Sequence, residues 1–366
     1  MASAFTLSIY PWVYSAQYQS DGSWQENYIE KPHRTPEQEA ALPADERDRL
    51  LAQRNSFAEL PLVNYTTQYG LGCFEGLKAF PQSDGTLKLF RPHENGVRMQ
   101  RSMEGLMMPA FPADLFTAAV REVVARNYRL GFYPRYEAQW EQDGFLTAGS
   151  VYVRPFSYAE PGIGLNLSKE PWVVVITTPV GSYFDSDLPA KAITTDKVRA
   201  TRGGTGWIKC DANYVTPILV KKQMEAEGYM EAIFLDAREQ KYVEEGSSCN
   251  IFFYLQDGTL VTPQLRDTIL PGINRKSILT LAQDKGVRTE ERDITIDEAL
   301  EQSREVFVTG TAAGVAYLQS ITHRGRTAVF NNGAVGELTR DLLLTLKGIQ
   351  YGSVEDRHGW MVPIAD

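Results

Sequence analysis

The run Arg202-Gly203-Gly204-Thr205-Gly206-Trp207-Ile208-Lys209-Cys210-Asp211-Ala212-Asn213-Tyr214 gathers the residues of this chain best suited to chemistry. A glycine cluster leads into a lysine. It is not a P-loop, which needs Gly-Lys-Ser/Thr in sequence; here Ile208 precedes and Cys210 follows the lysine. Nor does the glycine spacing make a dinucleotide fingerprint. Lys209 sits in an apolar, glycine-rich setting just before a predicted helix. A desolvated lysine gives up its proton more readily and becomes a nucleophile. Tyr214, five positions on, is spaced to hydrogen-bond a group carried by that lysine. An isolated lysine of this kind is by default a snorkelling surface residue, so the weight falls on its surroundings.

Other chemistries are thin. His33, His93, His323 and His358 form no HExxH and no Cys–His cluster, which argues against zinc. No G-x-S-x-G elbow is present. Cys73, Cys210 and Cys249 are odd in number and widely spaced, so no disulfide framework is expected. The N-terminus shows no basic region followed by an apolar one, and the longest apolar stretch, 172–176, is far too short to span a bilayer. A reducing compartment is expected, the cytoplasm first and an organellar matrix second. The 366 residues carry 37 Lys+Arg against 46 Asp+Glu, a net charge of −9 with no basic stripe, which argues against nucleic-acid binding.

The elements that must hold these residues read as strands in runs with helices set apart. Residues 5–18 and 24–29 predict a hairpin turned at Ser20-Asp21-Gly22. The charged stretch 32–56 predicts a solvated surface helix or a mobile insert. Residues 95–106 and 116–130 predict helices, the second with Val120, Val123 and Val124 on one face. In the second half, helices are expected over 215–227 and 273–286, with antiparallel strands between them. Length and pattern predict two α+β domains: a small one over 1–178, a linker over 179–190 and a large one over 191–366.

Six ordered motifs between about Val63 and Gly352 then resemble one family, the branched-chain amino acid aminotransferases of pyridoxal phosphate (PLP) fold type IV. They are the lysine run, Tyr69–Phe80, Leu89-Phe90-Arg91-Pro92 with Arg98 and Arg101, Tyr152-Val153-Arg154-Pro155, Tyr242–Gly246 with Asn250, and Leu270–Ile273 with Gly310–Ala313. The resemblance implies a PLP-dependent transaminase that exchanges the amino group of leucine, isoleucine or valine with 2-oxoglutarate. Relatives on the same fold with other substrates are the alternatives: D-amino acid aminotransferases, aminodeoxychorismate lyases and specialised-pathway aminotransferases.

The family positions imply these roles. Lys209 would carry PLP and act as the catalytic base. Glu245 would face the pyridine nitrogen, with Glu244 as its rival, and Tyr214 would meet the phenolic oxygen. Arg98, the backbone of Ile273 and Asn274 at a helix start, and Thr311 would hold the phosphate. Tyr69, Phe74 and Tyr152 would wall the substrate side chain. Arg154 would pair with a carboxylate, and the Thr311-Ala312 turn would take the α-carboxylate. The loop 156–165 would reach a partner subunit's pocket with Ile163 and Leu165, implying a homodimer. In an acidic chain, positive potential must then be concentrated at Arg98, Arg154, Lys209 and the Ile273 helix start.

Overall fold

A computed structural model describes residues 7–57, 60–181 and 190–364. The chain divides into two compact units. Of the described residues, the first holds those up to 181 together with 209–212 and 349–364, and the second holds the remainder. The expected linker 179–190 falls over 182–189 outside the described residues, while Pro179 and Val180 close a strand.

The first unit is built on a seven-stranded sheet. Its strands are β1 (Trp12–Tyr18), β2 (Trp24–Glu30), β3 (Leu77–Pro81), β4 (Leu87–Phe90), β5 (Ser150–Tyr158), β6 (Trp172–Val180) and the C-terminal Met361–Pro363. The order is Met361–Pro363, β4, β3, β5, β6, β1, β2, with every pair antiparallel. The expected hairpin is present, with Tyr18 paired to Trp24. Helix Ala113–Arg129 turns Phe116, Val120, Val123 and Val124 inward, a stripe at the helical period. That helix packs on β1, β5 and β6, and helix Pro92–Gly105 packs beside it.

The charged stretch 32–56 is helical and largely solvent-facing, as the surface-helix reading expects. It forms helices Pro36–Ala40 and Ala44–Arg54, and the buried Arg54 ties it to the unit. The Arg54 guanidinium is buried, donates to the carbonyls of Pro32 (3.0 Å) and Ile9 (3.2 Å), and pairs with Glu39. Its face lies 5.3 Å from the centre of the Phe132 ring.

The second unit contains two five-stranded sheets. One takes β7 (Lys191–Thr195), β8 (Glu231–Leu235) and β9 (Val243–Gly246); the other takes β10 (Asn250–Leu255), β11 (Thr259–Thr262) and β12 (Arg288–Glu291). The second is completed by β13 (Ser303–Gly310) and β14 (Gly314–Leu318), the first by β15 (Ser320–His323) and β16 (Arg326–Val329). Parallel pairs occur at β7–β8, β7–β15 and β11–β12. Ile233, Leu235, Ile251, Phe253, Val306, Val308 and Ile321 form one core drawn from both sheets. Helix Val215–Ala226 covers the other face of β8 through Val220 and Met224.

Candidate active site

Each unit contributes a distinct cluster of the expected residues. In the first, Lys209 belongs to a four-residue return, 209–212, that pairs with Gly72–Phe74. Phe74 N–H donates to the Lys209 carbonyl (3.1 Å), and Asp211 N–H to the Gly72 carbonyl (2.9 Å). Lys209 N–H donates to Ser102 Oγ (3.0 Å), which itself donates to the Arg98 carbonyl (2.9 Å). The lysine backbone is therefore fixed on two sides. Its Nζ lies 4.5 Å from the centre of the Phe74 ring. Loss of water and the nearby Arg98 charge bring the ammonium down to about 8, against the opposing pull of Glu75. At neutral pH a useful fraction of Lys209 is free amine.

Phe74 is shared. The Arg154 guanidinium lies 4.6 Å from its ring centre and 5.2 Å from that of Tyr152, and Arg154 Nη2 donates to the Tyr152 hydroxyl (2.7 Å). Tyr152 and Arg154 are two apart on β5 and so share a face, as the strand period requires. Arg154 Nε is buried with no hydrogen-bond partner, and among the described residues Arg154 makes no ion pair. A Cβ on Gly76 would run into the Tyr152 hydroxyl, so a larger residue there would displace that ring. Asp211 lies near both cations; burial pushes its carboxyl up to about 6, against Arg154 and Lys209.

Arg98 is buried and makes a bidentate pair: Nε to Glu75 Oε1 at 2.6 Å and Nη2 to Glu75 Oε2 at 2.9 Å. Sequence reasoning missed Glu75. The available signal was an acid placed between Phe74 and Gly76 in an otherwise apolar strand approach. Tyr69 is half exposed, and its hydroxyl accepts from Gly164 N–H (2.9 Å), tying it to the loop that presents Ile163 and Leu165 to solvent.

In the second unit, Tyr214 closes a short 3₁₀ turn and precedes helix Val215–Ala226. Glu244 and Glu245 separate clearly. A bulge in β9 sets Phe234 opposite Glu245 and Leu235 opposite Val243, leaving Glu244 as the extra residue; bulges re-aim side chains in this way. Glu245 is buried in an ion pair with Arg199 and accepts from Asn250 Nδ2 (3.1 Å) and Leu270 N–H (3.3 Å). Glu244 Oε2 has no partner, and burial pushes its carboxyl up to about 7. Arg199 and Asn250 were not singled out as ligands of Glu245 by their sequence positions.

Asn250 also donates to the Leu270 carbonyl (3.0 Å), and its side chain occupies the space a Cβ on Gly272 would need. Gly272 caps helix Ile273–Asp284 with no side-chain cap bond and no acid in the first turn. The leading N–H groups of a helix start of this kind lack intrahelical acceptors and are suited to an anion. Asn274 Nδ2 donates to the Gly310 carbonyl (2.8 Å), fixing that end to the turn that carries Thr311 and Ala312 between β13 and β14.

The chain belongs to the class IV amino-transferases: the model of the family "Amino-transferase class IV" matches residues 72–321. Among curated relatives, branched-chain-amino-acid aminotransferase 3, chloroplastic, of Arabidopsis thaliana is 38% identical over 301 residues, 81% of this chain and 70% of that protein. A probable branched-chain-amino-acid aminotransferase of Staphylococcus aureus (strain MRSA252) is 37% identical, covering 81% of both chains. Among solved structures, the branched-chain amino acid aminotransferase of Escherichia coli superposes with a TM-score of 0.70 at 25% identity, covering 84% of this chain and 94% of that one. The branched-chain aminotransferase of Thermoproteus uzoniensis, solved with norvaline, gives 0.72 at 25% identity, covering 97% and 99%. A further branched-chain amino acid aminotransferase, solved with pyridoxamine 5'-phosphate, shares the fold at 24% identity with a TM-score of 0.72, covering 97% and 99%. The expected type IV fold of α+β character is thereby borne out.

Proposed function

We propose that this chain is a branched-chain amino acid aminotransferase, exchanging the amino group of leucine, isoleucine or valine with 2-oxoglutarate by means of PLP. One observation carries this: a lysine with a depressed ammonium and an arginine without a carboxylate partner flank the same aromatic ring, Phe74. A nucleophilic amine beside a carboxylate reader suits a substrate that is both amine and acid.

The residues fit the cofactor. Lys209 would hold it through its amine, and the same amine would move the proton at the substrate Cα. Arg98, the Ile273 and Asn274 N–H groups and Thr311 are the groups that would hold its phosphate. Glu245, kept in place by Arg199 and Asn250, would meet its ring nitrogen, and Tyr214 its phenolic oxygen. PLP, when bound, supplies the electron sink for the developing negative charge at Cα. Tyr69, Phe74 and Tyr152 provide apolar walls; Arg154 takes the distal carboxylate of the second substrate, and the Thr311-Ala312 turn the α-carboxylate.

The working unit is a homodimer. Leu62, Ile163 and Leu165 are 87%, 77% and 95% exposed, and solvent-facing apolar residues of this kind suit burial against a second subunit. Cys73, Cys210 and Cys249 are buried free thiols, in keeping with a reducing compartment such as the cytoplasm. Among the described residues, no helix is long and apolar enough to cross a membrane.

The protein loaded with PLP should absorb in the visible, and excess L-leucine should bleach that band. A band untouched by leucine, isoleucine and valine would overturn the assignment.

A further inference from the structure

Glu75 sits on the approach to β3 with none of its side chain exposed. Four donors converge on it: Arg98 Nε (2.6 Å), Arg98 Nη2 (2.9 Å), Asn95 Nδ2 (2.7 Å) and Gly76 N–H (3.1 Å). Its own N–H donates to the Pro155 carbonyl at 2.7 Å, next to Arg154. Burial alone would raise this carboxyl, but Arg98, Lys209 and Asn95 outweigh it and hold Glu75 below the usual carboxylate range.

A carboxylate buried this deeply is costly, and apolar packing would serve stability as well or better. Its geometry suggests what it does instead. Glu75 takes Nε and Nη2 of Arg98 side-on, and a bidentate pair of this kind fixes both the plane and the heading of the guanidinium. Asn95, one helical turn before Arg98, braces the carboxylate from the same helix. We propose that Glu75 is a positioning residue that holds the Arg98 guanidinium in the orientation in which it would meet the cofactor phosphate, and that the Glu75–Arg98–Asn95 triad sets the preference for a phosphorylated cofactor. This rests on the reading of Arg98 as a phosphate partner.

The same carboxylate offsets Arg98 at the lysine amine. The charged or titratable groups acting on Lys209 are Arg98 from its helix, Glu75 from the approach to β3, and Tyr152 and Arg154 from β5, while Asp211 lies on its own segment.

The test compares the affinity of the full-length chain, stripped of cofactor, for PLP and for pyridoxal, which lacks the phosphate. Glu75→Gln removes a negative charge and keeps the shape. If Arg98 acted through charge alone, PLP would bind more tightly. Positioning predicts the reverse: the PLP-to-pyridoxal affinity ratio falls at least tenfold, while pyridoxal itself binds nearly as before. Asn95→Ala, which leaves the charge pair intact, should lower the ratio severalfold and serves if Glu75→Gln does not fold. An unchanged or increased ratio in either folded variant overturns the proposal. Arg98→Ala separates the two readings. If it leaves the ratio unchanged, the phosphate role of Arg98 itself fails; if it collapses the ratio while Glu75→Gln does not, only the role of Glu75 fails.

Discussion

Lys209 loses its proton near pH 8 because it is desolvated and faces Arg98. The free amine is the nucleophile, so covalent capture of PLP by the stripped protein should rise with pH and reach half its maximum near 8, about two units below an ordinary lysine. Borohydride trapping followed by mass analysis measures this, and Lys209→Ala should abolish the trapped adduct. A midpoint near 10 would mean the amine is not desolvated. Glu244 and Glu245 make a second contrast. Glu245→Gln should cut turnover far more than cofactor retention, and Glu244→Gln should leave turnover nearly intact. The folded-state carboxyl of Glu244 is raised to about 7, so the folded chain holds that proton longer than the unfolded one. Stability is therefore lost as pH rises from the unfolded value toward 7. Glu244→Gln should stabilise by about 1–2 kcal/mol at pH 8 and by nothing at pH 4, measured by denaturant unfolding. Lys209, Arg154 and Glu245 were legible in the sequence because each sits in a short motif of distinctive residue types. Glu75 and Arg199 were not, because a charge partner far along the chain is fixed only when strands and helices pack.

At the scale of elements, the amphipathic helix 113–129 and the first hairpin were readable because their apolar periods are unambiguous. The surface helix within 32–56 was readable too, but its anchor was not: Arg54, whose guanidinium is buried against Glu39, Ile9 and Pro32. Arg54→Ala should destabilise the first unit by about 3 kcal/mol, since it leaves a carboxylate poorly partnered and backbone carbonyls unmet. A lowered unfolding midpoint and faster proteolysis within 32–56 would show this; an unchanged midpoint would return the insert to a solvated role. The β9 bulge escaped sequence reasoning for a related reason. Adjacent acids in a strand point to opposite faces unless the ladder slips, and the slip is visible only against β8. The return of 209–212 and 349–364 to the first unit is likewise a tertiary fact, not encoded in local pattern.

The whole molecule carries a net charge of −9, which led to the expectation of concentrated positive potential around the reactive lysine. The first unit refines this. Arg98 is largely neutralised by Glu75, whereas among the described residues Arg154 makes no ion pair and lies over the Phe74 and Tyr152 rings instead. Subunit association should depend on the exposed apolar side chains. Ile163→Asp combined with Leu165→Asp should shift the protein from dimer to monomer by light scattering and lower turnover; a persistent dimer would place the interface elsewhere. The most direct measurement of the central claim is an amino-donor profile with 2-oxoglutarate as acceptor, following glutamate and the matching 2-oxo acid. Stoichiometric products from leucine, isoleucine and valine are expected. Turnover of a D-amino acid or another donor, with none of these three accepted, would contradict it.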